Sequence, residues 1–184
     1  MNTDITQVMV EEHRLILRMI TLVEQHVATL EQGRFSNWQF FLDAVDFIRN
    51  YADRFHHAKE EDILFVALVN NGMPAKQSPI EAMLIEHEQG RQHVHALEAA
   101  AQLALAGDPG QAQAIAAHAG AYAQLLRGHI DKEDQILYPL AERILPAAVR
   151  PAMVAGYARA EAGAPGVDRR YRELVAAYER QLAA

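Results

Sequence analysis

Apolar residues recur at helical spacing along most of the chain, and the spacing predicts four long helices at about 4–32, 37–70, 79–106 and 109–145. Asp4-x-x-Gln7, Ser36-x-x-Gln39, Ser78-Pro79-x-Glu81 and Asp108-Pro109-x-Gln111 read as starts, each offering a capping side chain with Glu or Gln shortly after it. Gly33, Asn70-Asn71-Gly72, Gly107 and Leu145-Pro146 read as stops. Such short connections make consecutive helices antiparallel neighbours. The expected fold is all-α: an up-down-up-down four-helix bundle over residues 1–145, with 146–184 as a helical extension packed on the same domain. The extension is broken by Pro146, Pro151, Gly156, Gly163, Pro165 and Gly166. A last helix is expected over about 168–183, where Tyr171, Leu174, Val175, Tyr178 and Leu182 share one stripe.

Polar residues interrupt the apolar stripes at matching places. In the second helix, Ile48, Ala52, His56, Glu60, Ile63, Leu64 and Ala67 lie on one face. In the fourth, Tyr122, Leu125, Leu126, His129, Glu133, Ile136, Leu137 and Leu140 do the same. His13 sits among Met9, Val10, Ile16, Leu17 and Ile20, and His87 among Ile80, Met83, Leu84 and Val94. His57 and Glu61 share a face with Arg49, Asn50 and Asp53, and periodicity assigns them to solvent. Glu12 and Glu86, one residue from the lone histidines, are rotated about 100° away and are assigned to a solvated face as well.

These interruptions are repeated. Residues 56–65 and 129–138 both read His-x-x-Lys-Glu-acid-x-Ile-Leu-aromatic, and Met-x-x-Glu-His occurs at Met9–His13 and Met83–His87. Two related halves therefore each supply one lone His and one His-x-x-x-Glu pair. A buried carboxylate without a partner costs several kcal/mol or more. Two of them beside four imidazoles, with no Lys or Arg facing them, call for metal cations. Iron, zinc and manganese all suit mixed imidazole and carboxylate donors. A single such His is more often a hydrogen-bonded core residue, and it is the repetition that favours ligands. Tyr122 and His118 are outer-layer candidates, whereas His26, His93 and His95 read as structural or exposed. Lys59 and Lys132 belong to the repeat with no role beyond covering apolar surface.

Composition narrows the function further. The net charge of −7 and the lack of a basic cluster argue against nucleic acid. Cysteine is absent, which removes disulfides, thiolate metal sites and cysteine nucleophiles. No secretory signal or membrane span is read, so the expected location is cytoplasmic.

The segments Glu12-His13-Arg14, His56-His57-Ala58-Lys59-Glu60-Glu61, Glu86-His87-Glu88 and His129-Ile130-Asp131-Lys132-Glu133 resemble the hemerythrin-like family, in its HHE cation-binding branch. The resemblance implies a bundle holding two iron ions bridged by carboxylates and an oxo or hydroxo group, with zinc or manganese as substitutes. Carried over by position, the metal ligands are His13, His56, Glu60, His87, His129 and Glu133, with His57, Glu61 and Asp134 as alternates. Oxygen-carrying members have a second histidine four residues on in the third helix, and here that position is Arg91. Their fourth helix uses His-x-x-x-x-Asp, whereas His129 has both Glu133 and Asp134 within reach. Six ligands rather than seven leave one position for a small ligand such as O2, NO or peroxide. Two alternatives stand beside this reading. One is an enzyme of oxidative or nitrosative stress, peroxidase-like or in iron–sulfur repair, although the cysteine-bearing module of some repair proteins is not seen. The other is an iron or oxygen sensor with an unknown protein partner, whose tail at 146–184 reports the metal state.

Overall fold

The computed structural model describes residues 4–34 and 37–183, among which there is no strand. Six helices follow one another. α1 is Gln7–Glu31. α2 is continuous over 38–70, and α3 is Pro79–Leu105. α4 is continuous over 112–144, α5 is Arg150–Ala162 and α6 is Val167–Ala183. The first four pack as the expected bundle, each against its neighbours in sequence and α4 back against α1. No helix among the described residues is long and apolar enough to cross a membrane.

The start signals differ in how they work. The Asp4 carboxylate accepts from the Thr6 and Gln7 amides at 2.9 and 2.8 Å, so it caps α1. Asp108 instead accepts from the Gly110 amide and shapes a 3-10 turn at Pro109–Gln111, which moves the start of α4 to residue 112. Ser78 stands at the expected cap of α3, but its hydroxyl makes no capping bond, and Glu81 reaches back to the Gln77 amide. The start assigned to Ser36 lies outside the described residues.

The tail is more regular than its prolines and glycines imply. Pro151 falls in the first turn of α5, where a missing N–H costs nothing. Gly156 is a close-approach site: a Cβ there would stand 3.2 Å from Ile63 Cδ1. On α6, Tyr171, Val175 and Tyr178 are buried in the main core, Leu174 is half-buried, and Leu182 at the end of the stripe is exposed.

Two stretches of π-helix interrupt α2, at Ile48–His57 and Glu60–Leu64, and one interrupts α4, at Glu133–Leu137. Bonding from i to i+5 takes an extra residue into the turn and rotates the side chains that follow. The apolar core is divided in two. One cluster holds Phe40, Phe41, Leu97 and Ile115, the other Met9, Leu64, Ile80 and Leu137. The histidines and carboxylates of the stripes form a polar layer between them.

Candidate metal centre

The repeat aligns 56 with 129 and 13 with 87, and the side chains obey a pseudo-two-fold relation. His13 Nε2 lies 2.9 Å from His56 Nε2, and His87 Nε2 lies 3.0 Å from His129 Nε2. Each ring turns its other nitrogen to an acid. His13 Nδ1 donates to Asp134 at 2.8 Å, and its counterpart His87 donates to Glu61 at 2.7 Å. His56 Nδ1 donates to Glu12 at 2.8 Å, and its counterpart His129 donates to Glu86 at 2.9 Å. The acids thereby assign the ring protons to Nδ1 and direct four Nε2 lone pairs inward. Two such lone pairs at 3 Å repel unless a positive charge lies beside them.

Glu60 and Glu133 lie between the two pairs and are wholly buried. Glu133 oxygens stand 3.3 Å from His13 Nε2 and 3.1 Å from His129 Nε2, without the alignment of a hydrogen bond. Glu60 Oε2 is 3.8 Å from His56 and 3.6 Å from His87 and is likewise unpartnered. The other oxygen of Glu60 accepts from the Tyr138 hydroxyl, which also sits 3.3 Å from His13 Nε2. Three buried carboxylate oxygens without a hydrogen bond, facing four nitrogen lone pairs, are a donor set that fits cations.

The electrostatics show the same demand. Burial alone would lower the pKa of His13, but the bond to Asp134 and the nearness of Glu133 outweigh it and raise it to about 9. His129 is raised to about 10 against the same burial, by the charge of Glu133 and the bond to Glu86. His56 is held well below the usual value by burial and by the charge of His13. Glu60 is pushed up by burial and by the charge of Glu133. His13 and His129 thus favour the charged form, whereas His56 and Glu60 favour the neutral one.

Two four-residue groups are close enough to hold an ion each: His13, His56, Glu60 and Glu133, and His57, Glu60, His87 and His129. All six residues of the carried-over set fall into these groups. The seventh, His57, corrects the sequence reading. It is buried, not solvated, and its ring stacks on His87 with centroids 3.8 Å apart and planes at 13°. The π-helical turn ending at His57 is the cause, because it brings two successive histidines onto the inward face. Arg91 stands outside the layer, binding Asp53 at 2.8 Å and Glu61 at 2.7 Å. His57 of α2 thus stands within the layer, and Arg91 of α3 does not.

Glu61 and Asp134 are partners of the lone histidines and belong to neither ion-holding group. Glu12 and Glu86 correct a second expectation. Glu12 is buried, and so is Lys59, which forms an ion pair with it and lies 3.4 Å from Glu161 of α5. In the counterpart pair, Lys132 with Glu86, Lys132 is 41% exposed. Lys59 and Lys132 therefore hold the acids that hold His56 and His129. The repeat carried that signal, since Glu-His and Lys-Glu recur in both halves. Tyr138 was also legible there as the closing aromatic of the repeat, matched by Phe65, which stacks near His87. Of the outer candidates, Tyr122 makes no hydrogen bond to the histidines, and His118 pairs with His93 at 3.3 Å. His26 stacks on Phe40 and donates to the Leu22 carbonyl.

The family model described as Hemerythrin HHE cation binding domain matches residues 4–141. No curated protein and no solved structure matches the chain.

Proposed function

Because the chain belongs to the hemerythrin HHE cation-binding family, we propose that its polar layer holds two iron ions and binds a small ligand such as O2, NO or peroxide. The carrying observation is the inward convergence of Nε2 atoms in two facing pairs, each ring fixed from behind by an acid. Glu60, which belongs to both groups, and Glu133 stand between the pairs and would help to hold the ions. His57 would add a third imidazole beside His87 and His129. Seven residues would hold the ions, and a small ligand would take a position that they leave free. When bound, iron supplies redox change and an attachment point for the small ligand. The chain supplies orientation through the Nδ1 acids and buries every donor. Tyr138 offers its hydroxyl as a hydrogen-bond partner beside His13 and Glu60.

The test is elemental analysis with absorption and Mössbauer spectroscopy on protein purified without chelator. Two irons per chain and bands of a bridged pair are expected. Iron well below two per chain in reconstituted protein, with no bridge bands, would refute the reading.

A second reading, a metal sensor with a protein partner, is favoured by one chain of contacts. Glu161 on α5 touches Lys59, which holds Glu12, which holds His56. Identical protease sensitivity of 146–184 with and without metal would remove it.

A further inference from the structure

The repeat places an aromatic residue five positions after each carboxylate of the layer, Phe65 after Glu60 and Tyr138 after Glu133. The two rings take up matching places. Phe65 faces His87 with centroids 6.2 Å apart and planes at 20°, and Tyr138 faces His13 with centroids 5.5 Å apart and planes at 10°. Phenylalanine ends in a carbon. Tyr138 carries an oxygen there, and that oxygen enters the layer, bonded to Glu60 and 3.3 Å from His13 Nε2. The hydroxyl has one proton and gives it to Glu60. The ring proton of His13 is held at Nδ1 by Asp134. The contact between the Tyr138 oxygen and His13 Nε2 therefore sets lone pair against lone pair, as the 2.9 Å contact between His13 and His56 does.

The spacing is that of neighbours around one ion. Two ligands about 2.1 Å from the same metal lie about 3.0 Å apart at a right angle and about 3.4 Å apart at the tetrahedral angle. From His13 Nε2 the distances are 2.9 Å to His56 Nε2, 3.3 Å to Glu133 and 3.3 Å to the Tyr138 oxygen. His13, His56 and Glu133 already belong to one ion-holding group. The other half makes the opposite addition. His57 brings a third imidazole to its group, and the repeat mate of His57 is Ile130, a buried core residue. One position thus has three imidazoles with Glu60. The other has two imidazoles with Glu60, Glu133 and the Tyr138 oxygen.

We propose that Tyr138 is a ligand, through its phenolate oxygen, of the ion held by His13, His56, Glu60 and Glu133, and that this oxygen-rich position is the one suited to ferric iron. The charge of the ion displaces the hydroxyl proton to solvent, as it does for other acidic groups that coordinate a cation. Glu60 exchanges its bond from Tyr138 for the same ion. This assignment rests on the metal reading of the layer.

The other tyrosines make the test selective. Tyr51, Tyr171 and Tyr178 bond to Asp168, Asp46 and Asp43, which belong to neither ion-holding group. Tyr122 and Tyr157 have buried hydroxyls without a partner. The full chain is loaded with ferrous iron and oxidised in air, and its iron content, visible absorption and resonance Raman spectrum are recorded. A phenolate-to-iron charge-transfer band is expected, with enhanced tyrosine ring modes that shift in protein carrying ring-deuterated tyrosine. Tyr138→Phe removes only the oxygen and should lose band and modes, whereas Tyr122→Phe and Tyr157→Phe should keep both. Iron-loaded parent without tyrosine ring modes would overturn the proposal and spare the metal reading. Modes that persist in Tyr138→Phe, or vanish in Tyr122→Phe or Tyr157→Phe, would overturn it as well. If Tyr138→Phe takes up no iron, survival of the modes in the other two variants still assigns them to Tyr138. A parent chain that takes up no iron overturns both readings.

Discussion

Removing the metal should destabilise the bundle by an amount that follows from the unpartnered atoms. Glu60 Oε2 and both oxygens of Glu133 are buried without a hydrogen bond. At roughly 1–3 kcal/mol for each unsatisfied buried group, the cations recover about 3–9 kcal/mol. For a chain of this size, 1 kcal/mol shifts Tm by about 2–4 °C, so chelated protein should melt at least ~6 °C below loaded protein. Glu60→Gln separates metal binding from folding. Burial and the charge of Glu133 push the Glu60 carboxyl above its ordinary value in the chelated chain, towards the neutral acid. The amide is nearly isosteric with that acid, so the chelated variant should melt within ~2 °C of the chelated parent. It should nevertheless lose the gain on metal addition, because an amide cannot bridge as a carboxylate does. Differential scanning calorimetry of four samples, parent and variant with and without metal, decides. Coincident melting of loaded and chelated parent, or a full metal-induced shift in the variant, would refute the reasoning.

Further outcomes are expected. His57→Leu should weaken binding of one of the two metals by about 10–100-fold while Tyr122→Phe leaves metal uptake unchanged, and competitive chelator titration measures both. Lys59→Met should cost about 3–5 kcal/mol by leaving Glu12 buried without its cation. Lys132→Met should cost at most ~1 kcal/mol, since Lys132 is 41% exposed; equal losses in urea unfolding would contradict a role for the difference in burial. The bond from His87, then Arg91, lowers Glu61 to about 2. Asp53 is also lowered, the bonds from His57 and Arg91 outweighing its burial. Both folded values lie below the unfolded ones, so this stability is present above the ordinary carboxylate range and lost as pH falls towards 2. Arg91→Gln should therefore flatten the decline in stability of chelated protein below pH 4.5, and an unchanged slope in urea unfolding would count against the assignment.

The bundle was legible because long amphipathic stripes with clear stops allow little else. His13, His56, Glu60, His87, His129 and Glu133 were legible because a polar residue on an apolar stripe stands out, and the repeat shows it twice. The acids behind the histidines were written in the same repeat but were assigned to solvent, because one helix's periodicity says nothing about what covers its flank. Glu12 is buried beside the buried Lys59, and Glu86, with the same local sequence, is half-exposed beside an exposed Lys132.

Local patterning thus set which helices form and which residues interrupt their apolar faces, since both depend on neighbours one or two turns away. Which side chains meet depended on contacts distant in sequence. The π-helical turns of α2 brought His57 inward beside His56, against the 3.6-residue period from which its outward position was inferred. Packing of α2 against α3 and α4 left a cavity at Gly90, while Ile16, Ile20 and Ile130 filled the corresponding space in the other half. The two-fold pattern is a property of the chain. Its asymmetry arises where volumes from three helices and the tail must fit together, and no periodicity along one helix records that sum.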